Sequence, residues 1–257
     1  MFENAKWIGE KFNTYNENSI LFRKEFKVTK KVESAKIYIC GLGYEECTLN
    51  GKRVTDEVLT TPVTSYDKRV LYSEYDASEF IFEGINVLGA EIGNGWYNDI
   101  AYAWEYTNAA WRDVPKLIAQ LEIKYSDGSR ESIVSDTSWK SHGGAIVFNH
   151  SRQGEIYDAR LEQTGWNKPG FDDSEWERVI IMRAAGLLYP KRHPPIRVIR
   201  RIKPVSKNKD IYDFGENISG WAHISVKGEA GRESIMRLPR LVTHISHHSL
   251  FINKERS

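Results

Sequence analysis

The side chains of this sequence most open to specific chemistry are its aromatic ones. Eight Trp and 13 Tyr occur among 257 residues, and six of the Trp fall between Trp96 and Trp176. Indole and phenol rings are flat and largely apolar, and the C–H faces of a sugar ring stack on such surfaces. The interior of a β-sandwich also absorbs them, so the count admits both readings. Glu155 and Asp158 are two carboxylates close in sequence, but proximity alone does not make an acid–base pair. Pairing with Arg152 or Arg160, or capping a loop, is their simpler role. His244, His247 and His248 have a spacing that would set two imidazoles on one helical face for zinc, within a tail that reads as solvated and frayed. No glycine-rich phosphate loop and no Ser-His-Asp arrangement stands out.

Charge and composition narrow the partners. Thirty-six basic and 35 acidic residues leave a formal charge of +1, which gives no electrostatic footing for nucleic acid or an anionic membrane. No stretch has the length and apolarity of a signal peptide or a membrane span. The only cysteines are Cys40 and Cys47. A hairpin about Gly41-Leu42-Gly43 would set Cys47 opposite Ile37, leaving the two sulfurs about 10 Å apart along the ladder, too far for a disulfide. Free thiols and no export signal point to the cytoplasm.

The elements that must carry these residues follow a period of two. Ile20, Phe22, Phe26 and Val28 alternate with Arg23, Glu25 and Lys27, the pattern of a half-buried strand. Ile37 and Ile39, Cys47 and Leu49, and Val87 to Ile92 continue it. Leu117, Ala119, Leu121, Ile123 and Tyr125 give the longest alternation, and Ser132-Ile133-Val134 reads as its return. Asn50-Gly51 and Asp127-Gly128 suit tight hairpin turns, because these residues tolerate positive φ. Phe171 to Trp176 forms at most one short turn, and no dozen residues hold a capped apolar stripe of helical period. Many short strands between turns predict an all-β sandwich. The Pro-rich, basic run Tyr189 to Pro195 predicts a connector leading into an edge or connecting strand over Ile196–Ile202. It divides a first domain, 1–205, from the start of a second, 206–257, with strands expected at Ile211–Phe214, Trp221–Val226 and Ser234–Met236. That second unit of about 50 residues is smaller than a domain usually needs to fold unaided.

Certain strings are recognisable in this order. Ala35-Lys36-Ile37-Tyr38-Ile39-Cys40-Gly41-Leu42-Gly43-Tyr44-Glu45 is followed by Leu49-Asn50-Gly51-Lys52-Arg53-Val54 and Ser65-Tyr66-Asp67-Lys68-Arg69-Val70-Leu71-Tyr72. Gly93-Asn94-Gly95-Trp96-Tyr97, Gly154-Glu155-Ile156-Tyr157-Asp158-Ala159-Arg160, Gly165-Trp166, Phe171-Asp172-Asp173-Ser174 and Tyr212-Asp213-Phe214-Gly215-Glu216-Asn217 come after. Together they resemble the N-terminal β-sandwich region of bacterial α-L-rhamnosidases, over roughly residues 5–236. The resemblance implies a galactose-binding-like or jelly-roll β-sandwich followed by an incomplete second β-domain. It further implies that the inverting acid and base carboxylates belong to an (α/α)6 barrel. Twelve helices of about 11 residues need roughly 130 residues, and this sequence shows neither that length nor that pattern. After Met236 the chain departs from the family: Leu238-Pro239-Arg240-Leu241 replaces the expected strand, and Pro239 would interrupt a ladder, so residues 238–257 read as an atypical tail.

The resemblance also implies a function. Some family sandwiches bind L-rhamnose with a calcium ion holding the sugar hydroxyls, and the matching loop here contains Asp67. A carboxylate is a proper calcium ligand, but the ammonium of Lys68 beside it opposes the ion. Asn94 would offer its amide to vicinal hydroxyls, and Trp96, Trp104 or Trp111 would stack on the ring; a turn at Asn94-Gly95 and core packing of Trp96 are the competing roles. The sequence therefore predicts a non-catalytic accessory region of a rhamnosidase-like hydrolase. A rhamnose-containing glycan is its candidate ligand, calcium its one candidate cofactor. An autonomous lectin-like module and a purely structural domain are the alternatives.

Overall fold

The computed structural model describes residues 2–11, 18–99, 109–151, 153–184, 186–225, 231–240 and 244–251. Two sheets dominate. One runs β14 (Ile180–Ile181), β1 (Ile8–Gly9), β8 (Lys116–Tyr125), β3 (Val32–Leu42), β6 (Arg69–Asp76), β15 (Leu187–Pro190), with β9 (Arg130–Val134) also paired to β8. The other runs β13 (Glu177–Arg178), β10 (Lys140–Gly143), β2 (Ile20–Val28), β7 (Gly84–Gly93), β4 (Tyr44–Leu49), β5 (Lys52–Arg53). Among the described residues the only helical turn is a 3-10 turn at Ala159–Leu161.

The alternation read from the sequence sets the main core. Ile20, Phe22 and Leu88 from the smaller sheet meet Ile37, Ile39, Leu117 and Leu121 from the larger. Trp139, fully buried, closes this core and donates its indole N–H to the Val134 carbonyl at 2.8 Å. The even-numbered residues of β3 point the other way: Tyr38, Cys40 and Leu42 join Tyr66, Val70, Tyr72, Tyr97 and Ile118 in a second cluster on the outer face of the larger sheet. Strand β3 is thus buried on both faces, which explains its unbroken apolar run from Ile37 to Leu42.

Both tight turns form as expected. Asn50 and Gly51 take φ of 55° and 79° between β4 and β5, and Gly128 takes 83° between β8 and β9. The expected hairpin about Gly41-Leu42-Gly43 does not. Strand β3 belongs to one sheet and β4 to the other, so the chain turns a corner between sheets at Gly43, whose φ is 124°. A Cβ there would stand 2.1 Å from the Gly93 carbonyl oxygen. Cys47 lies opposite Ala90 rather than Ile37. The thiols are free because they occupy different cores, Cys40 on the outer face and Cys47 between the sheets.

The connector also differs from expectation. Residues 196–202 form no strand; Arg197 makes one isolated bridge to Glu57, and Ile199 is 92% exposed. Residues 221–225 are likewise irregular. Beyond the connector, β16 (Ser206–Asn208) pairs with β17 (Ile211–Asp213), and β18 (Glu233–Arg240) with β19 (His244–Phe251). Pro239 lies within β18 opposite Ile245; β18 is an edge strand, where a missing N–H is tolerated. Strand β19 pairs in parallel with β12 (Gly154–Asp158), itself paired to β11 (Ile146–His150). His244, His247 and His248 therefore run along a strand, not a helical face.

Both apolar clusters draw only on residues up to Leu188. Deletion of residues 206–257 is accordingly expected to change the melting temperature of the remainder by no more than a few degrees, since among the described residues it removes no member of either cluster, but takes from the first unit the short β12–β19 pairing, the exposed Arg200–Glu216 ion pair and the Val205 N–H bond to the Asp213 carbonyl. A fall comparable to loss of a core residue would show that the second unit completes the first.

Candidate functional site

Three separate stretches of chain meet on the outer face of the larger sheet. Tyr66 is buried at the turn before β6 and meets Tyr97 edge-on at 5.2 Å and Trp111 at 5.2 Å between ring centroids. Trp96 and Trp111 are both half-buried and pack against the same cluster. The Trp96 indole N–H donates to the Tyr44 hydroxyl. Asp67, next to Tyr66, is exposed on a turn in which the N–H groups of Lys68 and Arg69 both donate to the Ser65 carbonyl at 2.8 Å. The loop of Asp67, the turn of Trp96 and the segment of Trp111 are thus brought together. Trp104 lies outside the described residues.

Asn94 is not at this surface. Its side chain is fully buried, its Nδ2 donating to the Asn149 carbonyl at 3.2 Å and its Oδ1 accepting from Asn98 Nδ2 at 2.8 Å. An amide placed there shapes the turn from beneath. Asp67 stands beside Lys68, and among the described residues no group of three His, Cys, Asp or Glu surrounds a point where a metal could sit.

A buried cation underlies the platform. Lys116 has no accessible surface; its Nζ donates to Asp113 Oδ2 at 2.6 Å and to the Arg183 carbonyl at 2.9 Å, and lies 5.6 Å from the Tyr97 ring centroid. The ammonium on the ring is a cation–π contact. Burial pushes the Tyr66 and Tyr97 phenols well above the usual range, so both remain neutral. Beside these neutral rings, Asp67, Lys68 and Arg69 of the adjoining turn and Asp113 near Trp111 are exposed.

A family model described as the α-L-rhamnosidase N-terminal domain matches residues 30–200. The chain belongs to that family. An α-L-rhamnosidase of Formosa agariphila is 36% identical over 224 residues, covering 82% of this chain and 23% of the relative. One from Alteromonas is 35% identical over 250 residues, covering 91% and 27%. Among solved structures, the α-L-rhamnosidase of Dictyoglumus thermophilum superposes with a TM-score of 0.87 at 37% identity, covering 98% of this chain and 31% of that one. The Streptomyces avermitilis α-L-rhamnosidase complexed with L-rhamnose gives 0.85 at 30% identity, covering 91% and 25%. The chain spans about a quarter of the length of these curated relatives.

Within this rhamnosidase N-terminal domain, Asp158 has a structural partner. Asp158 pairs with the Arg160 guanidinium at 2.5 Å and accepts the Arg160 N–H at 3.0 Å, capping the 3-10 turn. These contacts hold its carboxyl below the usual range. Arg152 lies outside the described residues. Glu155 is exposed on β12, opposite Asn149. Lys116, Asn149 and His150 escaped sequence reasoning. Only Lys116 left a signal, a lone cation opening the apolar alternation of β8.

Proposed function

We propose that this rhamnosidase N-terminal domain is a non-catalytic part of an α-L-rhamnosidase and holds a terminal L-rhamnose of a glycan on the aromatic surface of Trp96, Trp111 and Asp67. The longer protein would remove rhamnose elsewhere along its chain. The observation that carries the reading is the convergence of Tyr66, Tyr97 and Trp111, which gathers two half-buried indoles on the cluster that Tyr66, the neighbour of exposed Asp67, belongs to. Stacking would hold the apolar face of the sugar, and Asp67 would accept from its hydroxyls. The L-rhamnose bound in the Streptomyces avermitilis structure supports the choice of sugar.

A lone monosaccharide offers few atoms, so wild-type affinity for L-rhamnose is expected at roughly millimolar strength. Trp111→Ala should weaken titrated binding about tenfold or more, the equivalent of roughly 1.4 kcal/mol, and Trp111→Phe should keep most of it. Asp67→Ala should weaken it less, and a chelator should leave it unchanged, because the reading assigns no role to calcium. Thermal melts of the same variants separate loss of stacking from loss of fold. An absence of wild-type binding at millimolar sugar would reduce the domain to a structural one.

A further inference from the structure

Two consecutive residues of β11 hold both ends of the turn that carries Trp96 and Tyr97. At one end, Asn149 Oδ1 accepts the Asn94 N–H at 2.7 Å while its carbonyl accepts from Asn94 Nδ2 at 3.2 Å. At the other end, His150 Nε2 lies 2.8 Å from Asp99 Oδ1, with side-chain exposures of 1% and 5%. The Gln153 N–H donates to His150 Nδ1 at 3.0 Å. Nδ1 is therefore an acceptor, so the ring proton sits on Nε2 and is donated to the Asp99 carboxylate. Between the two anchor points the Asn98 N–H donates to the Asn94 carbonyl at 3.1 Å, and Arg112 Nε donates to Asn98 Oδ1 at 3.3 Å. Arg112 follows Trp111, so the second indole is tied into the same network.

A buried hydrogen-bond network of this kind rigidifies what it holds, because opening any link leaves a polar group unpaired away from water. A sugar platform built on a turn needs that rigidity, since ordering mobile rings on binding subtracts from affinity. We infer that Asn149 and His150 are positioning residues for the aromatic surface: they pin Asn94 and Asp99, and thereby place Trp96 and Tyr97 between those anchors, without themselves touching the sugar. The ligand half of this inference rests on the carbohydrate reading; the pinning does not.

The test combines amide hydrogen exchange with L-rhamnose titration on the full chain, in His150→Ala, His150→Gln and His150→Asn. The Gln amide nitrogen overlays Nε2 and can still donate to Asp99; the shorter Asn cannot. In His150→Ala and His150→Asn the Asn98 amide should exchange about tenfold faster while amides of β2 and β7 keep their rates. In the same two variants L-rhamnose should bind about tenfold more weakly. His150→Gln should restore both readouts to within about threefold of wild type. Unchanged Asn98 exchange in the Ala variant overturns the pinning, and so does His150→Gln behaving like His150→Asn. Faster exchange with undiminished rhamnose affinity overturns the link from pinning to the sugar surface. Failure of the wild-type chain to bind rhamnose would instead sink the carbohydrate reading, with the exchange result still judging the pin. If the Ala variant does not fold, the Gln and Asn pair carries the comparison.

Discussion

Gly43→Ala is expected to destabilise the chain by about 3 kcal/mol or more. Roughly 1–2 kcal/mol arises from forcing a side chain into positive φ, and roughly 1–3 kcal/mol from the overpacking that follows. The position has φ of 124°, and the new methyl would lie 2.1 Å from the Gly93 carbonyl oxygen, a backbone atom that cannot step aside. The comparison is Gly128→Ala. That glycine also has positive φ, 83°, but nothing lies within 4 Å of its Cβ direction, so only the backbone contribution of about 1 kcal/mol applies. Urea midpoints of the two variants decide the matter. Equal losses would mean that the chain does not turn from one sheet to the other at Gly43.

Glu45→Gln should remove much of the fall in stability between pH 5 and pH 8, leaving the variant about 3 kcal/mol more stable than wild type at the upper end. The Glu45 carboxyl is buried, and burial pushes it up to about 7. One oxygen accepts the Gly41 N–H; the other forms no well-aligned hydrogen bond, and neither does the neighbouring Thr61 hydroxyl. A raised folded value means that the group's contribution is complete below the ordinary carboxylate range. It is lost as pH rises through about 7, when the proton must leave a carboxyl with little to solvate the charge. Glutamine imitates the neutral acid, donating toward Thr61 and accepting from Gly41. Glu91, hydrogen-bonded to Ser19 at 2.7 Å, is also pushed by burial to about 7 and acts in the same direction. Asp127 and Asp158 are held low by their partners, so what they contribute disappears only in acid. Parallel stability curves for wild type and variant across pH 5–8 would refute the assignment to Glu45.

The parts legible in the sequence were those whose causes are local. Asn50-Gly51 and Asp127-Gly128 specify their turns because the φ they need is a property of the residues themselves. The alternation of β2 and β8 names their buried faces because successive side chains must point to opposite sides of a sheet. At Gly41-Leu42-Gly43 the same reasoning misplaced the partner strand. A glycine of positive φ is equally compatible with a hairpin and with a corner between sheets, and only the pairing of β4 with β7 distinguishes them. Residues 196–202 alternate like a strand, yet their pairing stops at one bridge from Arg197 to Glu57, and Ile199 stays exposed rather than packing on a core.

The candidate site divides along the same line. By itself the sequence determined an all-β chain of the rhamnosidase N-terminal family and singled out Asp67, Trp96 and Trp111, because periodicity, turn chemistry and ordered motifs survive without coordinates. Tertiary structure decided that Asn94 faces inward while Trp96 and Trp111 pack on one cluster, with Asp67 exposed on the turn next to Tyr66. It also brought in Lys116, whose one local sign is a lone cation at the start of an apolar strand, and Asn149 and His150, which carry none. The reason is distance along the chain. Asn94 and Asn149 are 55 residues apart, and Lys116 and Arg183 are 67 apart. Such contacts exist only after the sheets have closed and buried polar groups have been forced to find partners.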